Sequence, residues 1–188
     1  FILIRRSIMK LSIRLVAVIL TTCLAGTALA DKKTGDTAQY VTTSIHVHGA
    51  VEKSLTLNVD DMRKFSADQT GEFPIICQSG AKVGTMENHK GVLLKDILNK
   101  AVIKTVAHND VKKMMVIASA SDGYKVVFSW SELFNSPIGD GVLVMFEKDG
   151  NPIGDEEGRL ALISTKDIRT GSRHVKWLND IEVRKVVE

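Results

Sequence analysis

The sequence is poor in cysteine: its 188 residues contain two, Cys23 and Cys77. Cys23 lies in an N-terminal segment with the pattern of a secretory signal peptide, so Cys77 alone is expected in the exported chain. A single cysteine excludes an internal disulfide, which is the usual pairing in an oxidising compartment. Cys77 is therefore either a buried apolar side chain or a functional thiol: a metal ligand, a nucleophile or part of a pocket wall.

The signal peptide is expected within residues 1–30, behind a few upstream residues. The segment "MKLSIRLVAVILTTCLAGTALA" begins at Met9 with a basic stretch, continues with an apolar run over 15–20 and ends in small residues. This order predicts cleavage after Ala30. The apolar run is short for a membrane span. The expected location is the periplasm, with residues 31–43 as a flexible segment and 44–188 as one domain.

The sequence also lacks a surplus of positive charge. Residues 1–30 hold four of the 25 basic residues and no acidic ones, so 21 basic residues face 22 acidic ones in the remainder. A nucleic-acid-binding domain would need a basic excess, and this class of partner is excluded. The cations of "TGSRHVKW" are a local cluster, which indicates a local site.

Short strand and helix patterns alternate along the chain without a regular strand–helix–strand repeat, which predicts an α+β fold of mixed β-sheets with short helices. Turn signals at Asp122 and at Asp149, each followed by glycine, join predicted strands. A helix is predicted over 92–102 from its apolar spacing. Trp177 is predicted to join the core with Ile181 and Val183, on the period of the last strand. Further strands are predicted in "SIHVHG", "LTLNV", "EFPII", "MMVIASA", "YKVVFS", "GVLVMFEK" and "RLALIST", and short helices in "VDDMRKF" and "WSELF".

These elements resemble the molybdopterin-binding domain of the sulfite oxidase family, and the resemblance covers residues 44–186. The matching segments, in chain order, are "HGAVEKSLTLNVDDM", "PIICQSG", "KGVLLKDIL", "SDGY", "VLVMFEKDGNPI" and "GSRHVKWLNDIEV". The last segment is close to the family's closing G-x-R-H-V-K-W-L motif and is the most specific. The resemblance implies the same fold and a pterin ligand, either as a free pterin or as the molybdenum cofactor.

The resemblance also implies where a pterin would bind. Arg173 and Lys176 match positions beside the pterin, where a guanidinium can stack on the ring and both side chains can donate to its acceptors. We would therefore expect Arg173→Ala to abolish pterin affinity with little change in thermal stability. Cys77 matches the family's molybdenum ligand, and in a metal-free protein it would line the pocket. The expected ligand-binding set is completed by Asp167, Ser172, Tyr124, Arg169 and His174.

Some of these residues also have structural interpretations that stay open. Arg173 and Lys176 could instead lie on a solvated loop, and Asp167 could cap the turn after Thr165. His46 and His48 share one face of a strand and could ligate a metal with His89 or His174. No second short-range pair of ligands supports such a site, so none is predicted other than molybdenum at Cys77.

The chain departs from the family in four places. Residues 31–43 lack the arginine-and-histidine loop of the oxidases, Glu157 replaces a histidine before Gly158, and Leu162 stands where an arginine points toward the cofactor phosphate. The family's C-terminal dimerisation domain does not follow before Glu188, so a monomer is expected. An acidic run in place of a cation would disfavour a phosphate carrying about two negative charges.

Three hypotheses follow. The first is an exported protein that binds a non-phosphorylated pterin without molybdenum, as a ligand-loaded partner of an inner-membrane sensor that makes or degrades cyclic dinucleotides. The second is a molybdenum-cofactor oxidoreductase with Cys77 as the metal ligand. The third is an interaction protein with a degenerate pocket. The departures favour the first, while enzymatic activity stays an open question at the level of the sequence.

Overall fold

The computed structural model describes residues 37–186, in which two five-stranded sheets enclose the main core. The strands are β1 (Ser44–Gly49), β2 (Leu55–Asn58), β3 (Asp68–Gln69), β4 (Phe73–Ile76), β5 (Lys82–Met86), β6 (His89–Leu93), β7 (Met114–Ala120), β8 (Lys125–Ser129), β9 (Val142–Lys148), β10 (Asn151–Pro152), β11 (Ala161–Ser164) and β12 (Leu178–Lys185). The α-helices are α1 (Val59–Met62), α2 (Leu94–Ala101) and α3 (Trp130–Phe134), and single 3₁₀ turns cover Ala38–Tyr40, His108–Lys113, Pro137–Gly141 and Thr170–Arg173. The predicted α+β class is confirmed.

The first sheet has the order β2-β1-β12-β7-β8, with β1 and β12 parallel and the other neighbours antiparallel. Its strands alternate: in β1, Ile45 and Val47 are fully buried while His46 is exposed. Such alternation places one face of the sheet on the core and the other in solvent. Strands β1 and β12, the first and last of the domain, lie side by side, and their polar residues share the open face of the sheet.

The second sheet has the order β10-β9-β6-β3, and β11 also pairs with β9. Strands β9 and β11 are buried on both faces, which explains their continuous apolar sequences. One face packs on the main core through residues such as Val144 and Leu162. The other face carries a smaller cluster that includes Met145 and is covered by the β4–β5 hairpin. This cover positions the loop after β4, which contains Cys77.

The two turn signals are confirmed, and a helix cap helps to start α3. Asp122 begins the turn between β7 and β8, where its carboxylate accepts from the Tyr124 N–H at 2.9 Å. Asp149 and Gly150 have φ values of +51° and +78°, the positive pair that a two-residue hairpin turn requires. Ser129 caps α3 and exchanges hydrogen bonds with Glu132 in a capping box.

The predicted helix over 92–102 begins too early. Val92 and Leu93 belong to β6 and pair with Val144 and Leu143 of β9, so α2 starts only at Leu94. The three consecutive apolar residues Val92, Leu93 and Leu94 fit a strand as well as a helix, and the partner strand decides.

The prediction that Trp177 joins the core with Ile181 and Val183 is also wrong. Its φ is +49°, a β-bulge follows between Leu178 and Asp180, and the half-buried ring stacks obliquely on Tyr40 at 5.7 Å. The core positions of the last strand are instead Leu178, Ile181 and Val183. A left-handed residue and a bulge break the two-residue period on which the prediction rested.

The expected flexible segment lies partly outside the described residues, but 37–43 are held on the domain. The Thr42 hydroxyl donates to the carbonyls of Gly158 at 3.0 Å and Leu178 at 2.9 Å. The Ser121 hydroxyl donates to the Tyr40 carbonyl at 2.5 Å. The expected signal peptide lies outside the described residues. Within 37–186, no helix has the length and apolar character needed to cross a membrane.

Candidate functional site

The loop after β4 and the 3₁₀ turn Thr170–Arg173 meet at a buried threonine. The Thr170 hydroxyl donates to the Pro74 carbonyl at 2.8 Å and accepts from the Ile76 N–H at 2.9 Å. Only 5% of Thr170 is exposed. Gly171 packs against the backbone of Ile76, and a Cβ added at Gly171 would lie 3.0 Å from the Ile76 carbonyl oxygen. Two segments almost 100 residues apart in sequence are thereby held together.

Two further hydrogen bonds connect these segments to the β7–β8 turn. The Ser172 hydroxyl and the Gln78 side-chain carbonyl are 2.7 Å apart, and the Tyr124 hydroxyl donates to the Ser172 carbonyl at 2.8 Å. Three turns from different parts of the chain therefore meet at Ser172. Three predicted ligand residues, Cys77, Ser172 and Tyr124, are brought into one region by this connection.

Cys77 is half-buried at the start of its loop, and it is a free cysteine. Its sulfur lies 2.9 Å from the Ser79 hydroxyl. This hydrogen bond is the main cause of a lowered thiol pKa, with further help from the backbone N–H groups of the loop. A lowered pKa increases the thiolate fraction, the form that binds metals.

Arg169 brings a cation to the same loop. Gly80 has φ +94°, and a Cβ there would lie 3.0 Å from a terminal nitrogen of the Arg169 guanidinium. The side chain of Arg169 has no hydrogen bond or ion pair with another residue of the range 37–186. Its five donors are thus free to meet a ligand beside Cys77.

Arg173, by contrast, is committed to protein partners. Its Nε donates to Asp167 Oδ2 at 2.6 Å and a terminal nitrogen donates to Asp167 Oδ1 at 2.5 Å, a two-pronged pair. The other terminal nitrogen donates to Glu132 at 3.0 Å, and the guanidinium stacks on Phe128 with its carbon 4.3 Å from the ring centre. The hydrogen bonds to Asp167 raise the pKa of Arg173.

Arg173 and Asp167 were predicted as separate pterin contacts. The structure pairs them with each other, with 18% of the Arg173 side chain and 13% of the Asp167 side chain exposed. Their direct contact with a ligand stays a prediction, but both already have the partners that ionised groups need. In the described chain, the pair of Arg173 and Asp167 fixes the shape of the loop that carries Arg169 and Ser172.

His174 and Lys176 lie beside Glu157. Glu157 is 3.4 Å from His174 Nε2 and 3.8 Å from Lys176 Nζ. Burial raises the pKa of Glu157, but the contacts with His174 and then Lys176 outweigh it, and the net shift is downward. The His174 contact is poorly aligned, since both of its atoms lack a satisfactory hydrogen bond. Because the pKa of Glu157 is lowered, its carboxylate stays ionised near neutral pH.

Glu157 also lines a cavity of about 210 Å³ together with His89 and residues of the 148–156 segment. His89 is 3% exposed, and its Nδ1 has no hydrogen-bond partner among the described residues. Burial lowers the pKa of His89, which is therefore neutral at physiological pH. Leu162 is fully buried in the core and presents no polar group to this region.

Three residues that shape the site were not predicted from the sequence. Gln78 is the partner of Ser172, while Glu132 and Phe128 hold Arg173. Glu132 had a local signal as the third residue of a capping box. Its second role toward Arg173, 41 residues away, has no signature in a single sequence.

Comparison with known proteins assigns the chain to a family. Residues 34–187 match the family described as the oxidoreductase molybdopterin binding domain, and the chain belongs to that family. No curated protein matches the chain. Among solved structures, it is similar to the sulfane dehydrogenase SoxCD from Paracoccus pantotrophus, with a TM-score of 0.57 and 19% sequence identity. The match covers 79% of this chain and 40% of that one, and at this identity it shows the fold alone.

The donor set can be tested against the group for which the family is named. The Cys77 thiol, the unpaired Arg169 guanidinium and the polar side chains around Ser172 suit a pterin ring, and the thiol also suits a metal. The region around Glu157 differs: the Glu157 carboxylate lies against His174 and Lys176, and Leu162 contributes only hydrocarbon. The described residues around Ser172 therefore fit a pterin ring.

Proposed function

We propose that this protein binds a pterin where the three turns meet, next to Cys77. The observation that carries the proposal is the hydrogen-bonded connection from Tyr124 through Ser172 to Gln78, which holds the thiol and the free Arg169 guanidinium at one surface. A planar guanidinium can stack on a pterin or donate two parallel hydrogen bonds to its ring acceptors. Arg169 takes the role that the sequence suggested for Arg173.

The ligand in this proposal is a non-phosphorylated pterin without molybdenum. A terminal phosphate carries about two negative charges near neutral pH and needs free cationic donors. The Glu157 carboxylate already contacts His174 and Lys176. Its negative charge would repel a phosphate placed beside these two residues. A neutral pterin with a short polyol tail avoids this repulsion and can donate hydrogen bonds to the carboxylate.

The proposed setting is the periplasm, where the loaded protein acts as a monomer on the periplasmic domain of a membrane enzyme that makes or degrades cyclic dinucleotides. The signal-peptide pattern supports export. Ile168, between Asp167 and Arg169, is 85% exposed. Because Ile168 lies between two residues of the proposed ligand-binding set, a partner that reads whether the site is filled would contact it.

A fluorescence titration with an oxidised neutral pterin tests the proposed site. Arg169→Ala should weaken binding by about tenfold or more, the loss of one charge-assisted or stacking contact of about 1.5–3 kcal/mol. Arg63→Ala is the matched control, since Arg63 is also an exposed arginine but lies at the C-terminal end of α1, paired with Asp60. Equal affinities of the wild type and Arg169→Ala would rule out this assignment.

A second candidate function is a molybdenum-cofactor oxidoreductase with Cys77 as the metal ligand. The lowered pKa of the half-buried Cys77 thiol favours it, because a thiolate is the ligand form. The variant Cys77→Ser distinguishes the two candidate functions. In the oxidoreductase this variant loses its activity, whereas in the binding protein it keeps the pterin with reduced affinity.

A further inference from the structure

A second cluster of ligand-type side chains lies on the open face of the first sheet. His46 and His48 occupy alternate positions of β1 and therefore share that face. Their imidazole rings stack with centroids 4.7 Å apart and planes inclined by 14°. About half of the His46 side chain and a third of the His48 side chain are exposed, so both rings can be reached from solvent.

The last strand brings a carboxylate to this histidine pair. Because β12 runs parallel to β1, Asp180 lies directly beside His46 in the register. Asp180 Oδ1 is 2.9 Å from His48 Nε2 and 3.8 Å from His46 Nδ1. One ligand atom from each of the three residues lies within 4.8 Å of the other two.

We propose that His46, His48 and Asp180 form a binding site for a divalent transition-metal ion of the zinc and copper type. Two imidazoles and one carboxylate are ligands that these ions accept. With metal–ligand bonds of about 2.0–2.2 Å, the ligand atoms of a tetrahedral site are about 3.4 Å apart. The two observed distances to Asp180 lie on either side of this value, so small side-chain rotations would complete the site. The remaining coordination position faces water.

Neighbouring charges do not compete for the three ligands. Glu182 lies next to His48 in the register, but Arg184 donates to both of its oxygens, at 2.9 and 2.6 Å. Asp180 is thus the carboxylate of the described chain that is left for the histidines. A hydrogen bond between His48 and Asp180 alone would not explain why a second imidazole is stacked against the first.

The ligand set differs from the one that the sequence suggested. His89 belongs to β6 in the other sheet and is buried, and His174 contacts Glu157. Neither joins the cluster on β1. Asp180, which sequence spacing could not connect to residues more than 130 positions earlier, supplies the third ligand. None of the residues around Cys77 contributes, so this inference does not rest on the proposed pterin function.

Zinc binding to the full chain tests the proposal. The chain carries Cys23→Ser and Cys77→Ser to remove competing thiols, is stripped with a chelator, and is titrated with Zn²⁺ by calorimetry. We expect one Zn²⁺ per chain. The double variant His46→Ala/His48→Ala should abolish binding, and Asp180→Asn should weaken it roughly 10- to 100-fold, at least the loss seen when an outer-shell partner of a metal ligand is removed. His108→Ala, which removes an exposed histidine outside the cluster, should bind like the parent.

Nitrogen NMR of the histidine rings gives a reading that does not depend on variants. Zn²⁺ should shift the ring nitrogens of His46 and His48 and leave those of His108 in place. Failure to bind Zn²⁺ at about 100 μM would overturn the proposal. So would binding that survives the double variant, or shifts confined to other histidines.

Discussion

Replacing Arg173 by alanine should destabilise the domain by about 3 kcal/mol. Removing one partner of a buried ion pair costs about 3–5 kcal/mol, because the remaining charge is left buried without compensation. With 18% of the Arg173 side chain and 13% of the Asp167 side chain exposed, this pair is near that regime. Glu132 is 39% exposed and can turn to water, which reduces the expected cost. The lost stacking on Phe128 adds about 1 kcal/mol.

For a domain of this size, 1 kcal/mol corresponds to a shift of about 2–4 °C in the melting temperature, so Arg173→Ala should melt roughly 6–12 °C lower. Urea unfolding followed by circular dichroism would give the free energy directly. A double-mutant cycle with Asp167→Ala should return a coupling energy of about 1 kcal/mol or more. The control is Arg63→Ala, whose exposed pair with Asp60 should contribute less than about 1 kcal/mol.

A melting temperature of Arg173→Ala within about 1 °C of the wild type would refute this reasoning. Such a result would mean that the pair with Asp167 adds nothing to the folded state. The interpretation drawn from the sequence would then apply, in which the guanidinium is reserved for a ligand. A loss of stability together with a loss of pterin affinity would instead identify Arg173 as a positioning residue for the loop carrying Arg169.

Three other changes have defined outcomes. Glu157→Gln should raise the affinity for a phosphorylated pterin about fivefold, because it removes one like-charge contact of about 1 kcal/mol in water. A titration with the phosphorylated and the neutral ligand measures this gain. The absence of a gain would show that the phosphate lies elsewhere. Because burial lowers the pKa of His89 in the folded state, the unfolded chain binds more protons as the pH falls below the ordinary histidine value of about 6.5, so stability should decline there. His89→Gln should flatten this decline in urea unfolding at pH 8 and pH 5, and an unchanged slope would contradict the assignment. Gly158→Ala should lower the melting temperature by several degrees, because φ is +86° and an added Cβ would lie 2.5 Å from the Trp177 Cα; a thermal melt like that of the wild type would show that the neighbouring backbone can move.

Much of the fold could be predicted because it depends on local patterns. The alternation in β1, the capping box at Ser129 and the paired turn residues at Asp149 and Gly150 each act over a few positions. The errors arose where distant partners decide. Val92 is in a strand because β9 pairs with it, and Trp177 leaves the core because of a bulge.

The site shows the same division. The resemblance directed attention to Cys77, Ser172 and Tyr124, and the turns do bring these residues together. No periodicity could show that Arg173 pairs with Asp167 and Glu132, since these contacts form between loops and a distant helix. The sequence also could not predict that β1 pairs with β12 in parallel, which places Asp180 beside His46.

The most direct test of the proposed function is the content of the protein as it leaves the cell. The chain purified from a periplasmic preparation should contain no molybdenum by elemental mass spectrometry. It should release about one fluorescent pterin per chain, without a phosphate, on denaturation. About one molybdenum per chain with a phosphorylated dithiolene pterin would contradict the proposal and make Cys77 the metal ligand of an oxidoreductase.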